Sequence, residues 1–227
     1  MQGKLIVFEG VEGSGKTTQL RRSQSWLLDS LWFNRLQTQG YISHLLVTRQ
    51  PGGTELGQAI RQLLLHSSQS PIQDRAELLL YAADRAQHVE ESLKPQLQQR
   101  ALILCDRYTD STVAYQGYGR GLDLNLIQQL NQVATGGLES NLTLWFDLDV
   151  EQGLARTKLR GTADRIEQDS LAFHQRVQQG FTELASANPD RIVRIDASRS
   201  EAEVSEQVQA VLQKWLMQWY PALLLHS

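Results

Sequence analysis

The stretch Gly10-Val11-Glu12-Gly13-Ser14-Gly15-Lys16-Thr17, followed by Thr18, sets glycines, a lysine and hydroxyls at the spacing G-x-x-x-x-G-K-[ST]. Glycines let a backbone wrap a polyphosphate, so that successive N–H groups and the start of the next helix point at it. Lys16 adds a point charge for the β- and γ-phosphates, and Thr17 offers a hydroxyl to Mg²⁺, a cation that prefers oxygen ligands. The alternative is a chance glycine-rich turn. It leaves unexplained the apolar run Leu5 to Phe8 before the loop and the helical pattern after it. The chemistry indicated is the binding of a nucleoside triphosphate, which by itself does not distinguish a switch, a motor or a kinase.

A second set of residues calls for a second anionic ligand. Arg49 ends an apolar run and precedes Gln50-Pro51-Gly52-Gly53, where a guanidinium could clamp a monophosphate or merely cap a turn. Asp106-Arg107 ends another such run: Asp106 is placed to hold the water shell of Mg²⁺ and Arg107 to span an acceptor phosphate, with a structural ion pair as the competing explanation. Tyr81 and Arg85 stand four apart, on one helical face, as a ring to stack a base and a guanidinium to bond its edge, or as ordinary packing beside a solvated charge. Arg156 to Arg165 carries Arg156, Lys158, Arg160 and Arg165 against Asp164, with Gly161 to permit bending. Such a piece is a solvated helix face or a lid, about 156–167, that delivers an arginine to the migrating phosphoryl group.

These residues have to be brought together by their elements. Short apolar runs at Leu5 to Phe8, Ile42 to Val47, Ala101 to Cys105, Leu142 to Phe146 and Ile192 to Ile195 read as five parallel strands covered on both faces. Between them lie helical patterns at Lys16 to about Thr38, Glu55 to His66, Arg75 to Gln99, Leu124 to Ala134, Glu151 to Lys158, Ser170 to Ala187 and Glu201 to Trp219. Pro95 falls late in the third of these, where it ends or kinks the helix. The alternation predicts an α/β domain whose ligands sit outside the carboxyl ends of the strands, so the cradle, Arg49 and Arg107 share a crevice. One domain spanning 1–227 is expected, since no repeat or low-complexity linker divides the chain.

Composition narrows the class. The 227 residues hold 22 Lys and Arg against 25 Asp and Glu, a net charge of −3, which argues against a broad nucleic-acid surface. With 41% hydrophobic and 21% charged residues the chain reads as globular. Cys105, the only cysteine, forms no internal disulfide or thiolate cage and fits a reducing compartment. The start, MQGKLIVFEG, has no cleavable apolar leader, and no apolar run nears the roughly 18 residues of a membrane span. A cytoplasmic protein with no membrane and no stable nucleic-acid partner is the expectation.

The segments FEGVEGSGKTTQ, TRQPGGT, LLLYAADRAQHVEE, DRYTDSTVAYQG and RGTADRIE, in that order, resemble thymidylate kinases from Leu5 to about Trp219. The cradle is common to many families, but its joint occurrence with R-x-P-G-G, A-A-D-R-A-Q-H and D-R-Y…S-T-x-A-Y-Q-G is specific. The resemblance implies a three-layer P-loop nucleoside monophosphate kinase fold with a five-stranded parallel sheet and a lid. It further implies transfer of the ATP γ-phosphoryl to dTMP, giving dTDP and ADP with Mg²⁺ as a step of dTTP synthesis, and a homodimer. By the same resemblance Glu12 touches the sugar 3′-hydroxyl, Arg49 and Arg107 grip the dTMP phosphate, Tyr81 covers thymine and Arg85 bonds its edge. Tyr115 crowds the 2′ position, and Ser111, Thr112 and Gln116 line the same pocket. Gly13 stands where some relatives carry a loop arginine, which makes this chain similar to the type whose catalytic arginines, here Arg160 and Arg165, come from the lid, beside Lys16 and Arg107.

Three departures stand out. Gln50 replaces the glutamate of R-E-P-G-G. Leu31 to Thr38 lengthens the first helical region, either as a hydrophobic interface through Leu31, Trp32, Phe33 and Leu36 or as a local cap on the core. The tail Trp219 to Leu225 runs past the usual end, as packing or as a disordered tail. Rival readings are a kinase of UMP, CMP or AMP, and a nucleotide-binding switch, which would not need a second phosphate clamp.

Overall fold

Leu5, Ile6, Val7 and Phe8 have no exposed surface, because a strand in the middle of a parallel sheet buries both of its faces. In the computed structural model, which describes residues 2–66, 71–159, 161 and 164–221, they belong to β1 (Lys4–Gly10). The other strands are β2 (Leu45–Arg49), β3 (Leu102–Asp106), β4 (Leu142–Asp147) and β5 (Ile192–Asp196). All pairings are parallel, in the order β2-β3-β1-β4-β5. The chain leaves β1 toward one edge and returns to its other side at β4, so the carboxyl end of β1 is a switch point where a crevice opens. Register fixes what faces that crevice: Phe8 pairs with Asp106, and Asp106 with Arg49, on one line across three strands.

Successive residues of β1 point to opposite layers. Ile6 and Phe8 join a core built with α1 (Lys16–Asp29), α2 (Leu31–Thr38), α9 (Leu171–Ala187) and α10 (Glu201–Trp219). Leu5 and Val7 join a second core with Val89, Leu93 and Leu97, which follow α3 (Glu55–His66) and α4 (Asp74–His88). The remaining helices are α5 (Lys94–Gln98), α6 (Thr109–Thr112), α7 (Leu124–Thr135) and α8 (Val150–Lys158). The fold is the three-layer α/β arrangement expected from the alternation.

Local differences have physical causes. The first helical region is two helices, because Ser30 adopts an extended conformation and its hydroxyl accepts from the Phe33 amide at 3.3 Å, capping α2. Phe33 and Leu36 are fully buried, and Trp32 meets Trp26 edge to face at 4.8 Å, so this insertion caps the core while Leu31 alone stays open at 76% exposure. The long third region passes through a π-helical turn, Val89–Leu93, and Pro95 sits in the first turn of α5, where its missing N–H costs little. β2 begins at Leu45 and not Ile42, and as an edge strand it is only half-buried, contrary to the expectation of two covered faces. Of the tail, Tyr220 is buried, its ring 6.1 Å from that of Tyr41, whereas Ala222 to Leu225 lie outside the described residues. A helical segment absent from the sequence reading, α6 and the π-helical turn Val113–Gly119, follows β3.

Candidate active site

The loop after β1 is held open by its own bonds. Gly15, left-handed at φ 88°, starts α1 without a side-chain cap, so the helix N-terminus faces the cavity. The Ser14 hydroxyl donates to the Val11 carbonyl at 2.8 Å, and the Lys16 ammonium donates to the carbonyls of Gly10 and Val11 at 2.9 and 2.7 Å. Burial and the charge of Arg107 lower the Lys16 pKa to about 8, an environment that favours an incoming anion. Gly13 has no room for a side chain: a Cβ there would lie 2.1 Å from the Gly153 carbonyl oxygen of α8.

At the rim Thr17 Oγ1 donates to Asp106 Oδ2 at 2.8 Å, which sets two side-chain oxygens side by side. Oxygen donors without nitrogen or sulfur fit a hard cation. Among the described residues no group of three or more His, Cys, Asp or Glu forms a cage, so Mg²⁺ at this pair would draw its other ligands from phosphate and water.

Arg107 stands at the centre. Its backbone is left-handed at φ 68°, and its guanidinium pairs with Glu12 while donating to the Gly10 carbonyl at 3.2 Å and to the Ser111 hydroxyl at 3.1 Å. It lies 4.9 Å above the ring of Tyr115, whose hydroxyl donates to Glu12 at 2.9 Å. Burial disfavours a charged Glu12, but Arg107, Lys16 and the Tyr115 hydroxyl outweigh it and hold the carboxyl at about 2. Glu12 is therefore an anion aimed between two cavities.

The larger cavity, about 790 Å³, is lined by the cradle from Glu12 to Thr18 and by Arg49, Asp106, Arg107 and Arg156. The smaller is lined by Tyr81, Arg85, Ser111, Thr112, Tyr115 and Gln116. Glu12, Gln50, Arg61, Arg107 and Asp164 line both, so the two adjoin. The sequence thus brings its cradle and its second-ligand residues together, as expected. Arg85 is more constrained than a free base-reading arginine: it donates to Gln50 Oε1 at 3.0 Å, Asn131 Oδ1 at 2.7 Å and the Tyr108 carbonyl at 3.0 Å. Among the described residues the buried Thr112 hydroxyl has no protein partner.

Gln50 acts as a spacer in a buried chain. Its Oε1 accepts from Arg85, so its Nε2 donates to His88 Nδ1 at 2.9 Å, leaving the His88 Nε2–H to donate to Thr48 at 2.8 Å. Burial, with Arg85 close by, lowers the His88 pKa to about 4.

The lid residues divide. Arg156 reaches the larger cavity, whereas Arg165 lines neither: it pairs with the fully buried Glu77 and donates to the Leu64 carbonyl at 2.8 Å. Glu77 also accepts from Gln116 at 2.8 Å and from Arg120 at 3.2 Å. Arg160 lies outside the described residues. Sequence reasoning missed Arg61, whose Nη1 donates to the Pro51 carbonyl at 3.1 Å and whose guanidinium borders both cavities near Arg49. Its place on α3, seven residues past Thr54, carries no signal without the fold. Asp164, in sequence only the anion of the lid segment, borders both cavities and accepts from the Ile166 and Glu167 amides.

A phosphate loop at the switch point of a 2-3-1-4-5 parallel sheet, with a second polar cavity adjoining it across an arginine, defines a P-loop kinase of small phosphorylated acceptors. The profile of the thymidylate kinase family matches residues 8–208. A thymidylate kinase of a Cyanothece species is 62% identical over 97% of this chain and 98% of its own, and one of Acaryochloris marina is 56% identical over 97% and 100%. The crystal structure of the thymidylate kinase of Ehrlichia chaffeensis aligns with a TM-score of 0.73 at 32% identity, covering 94% of this chain and 100% of that one. The chain belongs to the thymidylate kinase family. Its reaction is transfer of the ATP γ-phosphoryl to dTMP, giving dTDP in the course of dTTP synthesis.

Proposed function

We propose that the larger cavity holds ATP, the smaller one the thymidine of dTMP, and that the phosphoryl group crosses between them beside Arg107. The observation that carries this reading is the sharing of Glu12, Arg61 and Arg107 by both cavities. The acceptor is already a phosphate oxygen, so no strong general base is needed, and positioning with charge stabilisation does the catalysis. The cradle from Gly10 to Thr18 binds the triphosphate, with Lys16 leaving its loop carbonyls for the β- and γ-oxygens. Arg49 and Arg107 hold the acceptor phosphate. Tyr81 packs on the base, Arg85, Thr112 and Gln116 face its polar edge, and Glu12, Ser111 and Tyr115 surround the sugar. Thr17 and Asp106 would hold Mg²⁺, which when bound neutralises phosphate charge. Segment 156–167 acts as the lid of a single domain, with Arg160 as its catalytic arginine and Arg165, paired with Glu77, as the residue that docks it.

The protein works as a cytoplasmic homodimer in this reading. Leu56 and Leu63 on α3 and Leu79 on the adjacent α4 are each half-exposed, an apolar surface suited to a second copy, and the buried free Cys105 agrees with a reducing compartment. No described helix is long and apolar enough to cross a membrane. A coupled ADP-release assay with MgATP and dTMP, dUMP, UMP and AMP tests the assignment: dTMP is turned over fastest, and a preference for AMP overturns the pocket.

A further inference from the structure

Glu9 has no exposed surface and lies one residue before the phosphate loop, yet none of the roles above uses it. Burial, reinforced by the charge of Asp110, pushes its carboxyl up to about 7, so keeping it there works against solvation. Three hydrogen bonds to its carboxylate come from one short segment. Oε1 accepts from the Tyr108 amide at 2.8 Å and the Ser111 amide at 3.1 Å, and Oε2 accepts from the Ser111 hydroxyl at 2.5 Å. That segment begins at Arg107, whose left-handed backbone an arginine does not adopt without support. Support comes from both sides: the Arg107 amide donates to the Phe8 carbonyl at 3.0 Å, and the next amide donates to Glu9. The Ser111 hydroxyl that Glu9 orients in turn accepts from Arg107 Nη1 at 3.1 Å.

We propose that Glu9 is a positioning residue for acceptor binding: its carboxylate ties the turn at Arg107 and the Ser111 hydroxyl to β1, and so aims the Arg107 guanidinium at the phosphate of dTMP. The inference rests on the reading that Arg107 grips that phosphate. Glu9 stands on β1 directly before the phosphate loop, so its side chain ties the acceptor clamp to the strand that carries the donor loop.

The test is calorimetric binding of dTMP and of thymidine, which lacks the phosphate, to wild type, Glu9→Gln, Arg107→Ala and the double variant. Glu9→Gln lowers the preference for dTMP over thymidine about tenfold, with thymidine affinity changed less than about twofold. Arg107→Ala lowers the preference further, to what Arg49 alone supplies, and Glu9→Gln adds nothing in that background. Equal weakening of both ligands, or an intact preference in Glu9→Gln, overturns the role of Glu9. An intact preference in Arg107→Ala overturns instead the clamp on which it rests. If Glu9→Gln does not fold, Glu9→Asp is read the same way: withdrawing the carboxylate by one methylene lowers the preference by a smaller factor, and no change overturns the proposal.

Discussion

Gly13 of the phosphate loop rests on Gly153 of α8 so closely that a Cβ on Gly13 would lie 2.1 Å from the Gly153 carbonyl oxygen, and one on Gly153 would lie 2.3 Å from that of Glu12. Gly13 is also left-handed at φ 71°. Any side chain here has to push the loop and α8 apart. Gly13→Ala therefore raises the KM for ATP about tenfold while dTMP binding changes little, and Gly13→Arg is worse still. Steady-state kinetics with each substrate varied in turn checks this, and an unchanged ATP KM refutes it.

Arg61 borders both cavities, and burial and the charges of Arg49 and Arg107 lower its pKa, a crowding of cations that an anion would relieve. Arg61→Ala should reduce kcat/KM for dTMP by about 10–100-fold with the ATP KM nearly constant. An unchanged kcat/KM would remove Arg61 from the acceptor site.

Lid arginines are expected to behave differently from one another. Arg160→Ala lowers kcat far more than it weakens dTMP binding. Arg165, paired with Glu77, docks the lid beside Gln116, so Arg165→Ala and Glu77→Gln should each loosen segment 164–169 and should not add when combined. Hydrogen exchange of that segment reads the loosening, and additive effects would mean that the pair does not act as a unit.

Burial and the charge of Arg85 keep His88 neutral, and its Nδ1 accepts from the Gln50 side-chain amide. With its pKa lowered from 6.5 to about 4, the native state binds a proton less readily than the unfolded chain does. Its contribution to stability is complete above pH 6.5 and is lost as pH falls toward 4, by about 3 kcal/mol at most. NMR titration of the ring should give a midpoint near 4. A midpoint near 6.5 would contradict the buried chain.

The Thr17–Asp106 pair predicts a metal requirement. Chelation of Mg²⁺ should abolish turnover, and Thr17→Ala should raise the Mg²⁺ concentration needed for half-maximal rate by about tenfold, with little change in dTMP affinity.

Much of this was legible in the chain. The cradle is contiguous, and its glycines are demanded by backbone geometry, so Gly10 to Thr17 could be read directly. Five mainly apolar runs gave five strands, most nearly continuous in the inner strands β1, β3 and β4, which are buried on both faces, and interrupted at the edges by Ser43-His44 and Arg194. Strand ends then placed Arg49, Asp106 and Arg107 at one end of the sheet, where Asp106 pairs with both Phe8 and Arg49 and the Arg107 amide donates to the Phe8 carbonyl. What stayed hidden follows from the same physics. Residues 109–119 are polar or small on the face that lines the acceptor cavity, so their helix has no apolar periodicity to reveal it.

Local sequence thus determined the loop, the strands and the polarity of the crevice, since each depends on residue type and short-range spacing. Tertiary structure decided the long-range pairings, which no spacing encodes. Arg165 goes to Glu77, 88 residues away, and Tyr115 to Glu12, 103 residues away. Glu9 takes the turn at Arg107, and Gly13 meets Gly153. Such contacts join residues from different layers, and only the packing of helices against one sheet sets which charges meet and which are left for substrate.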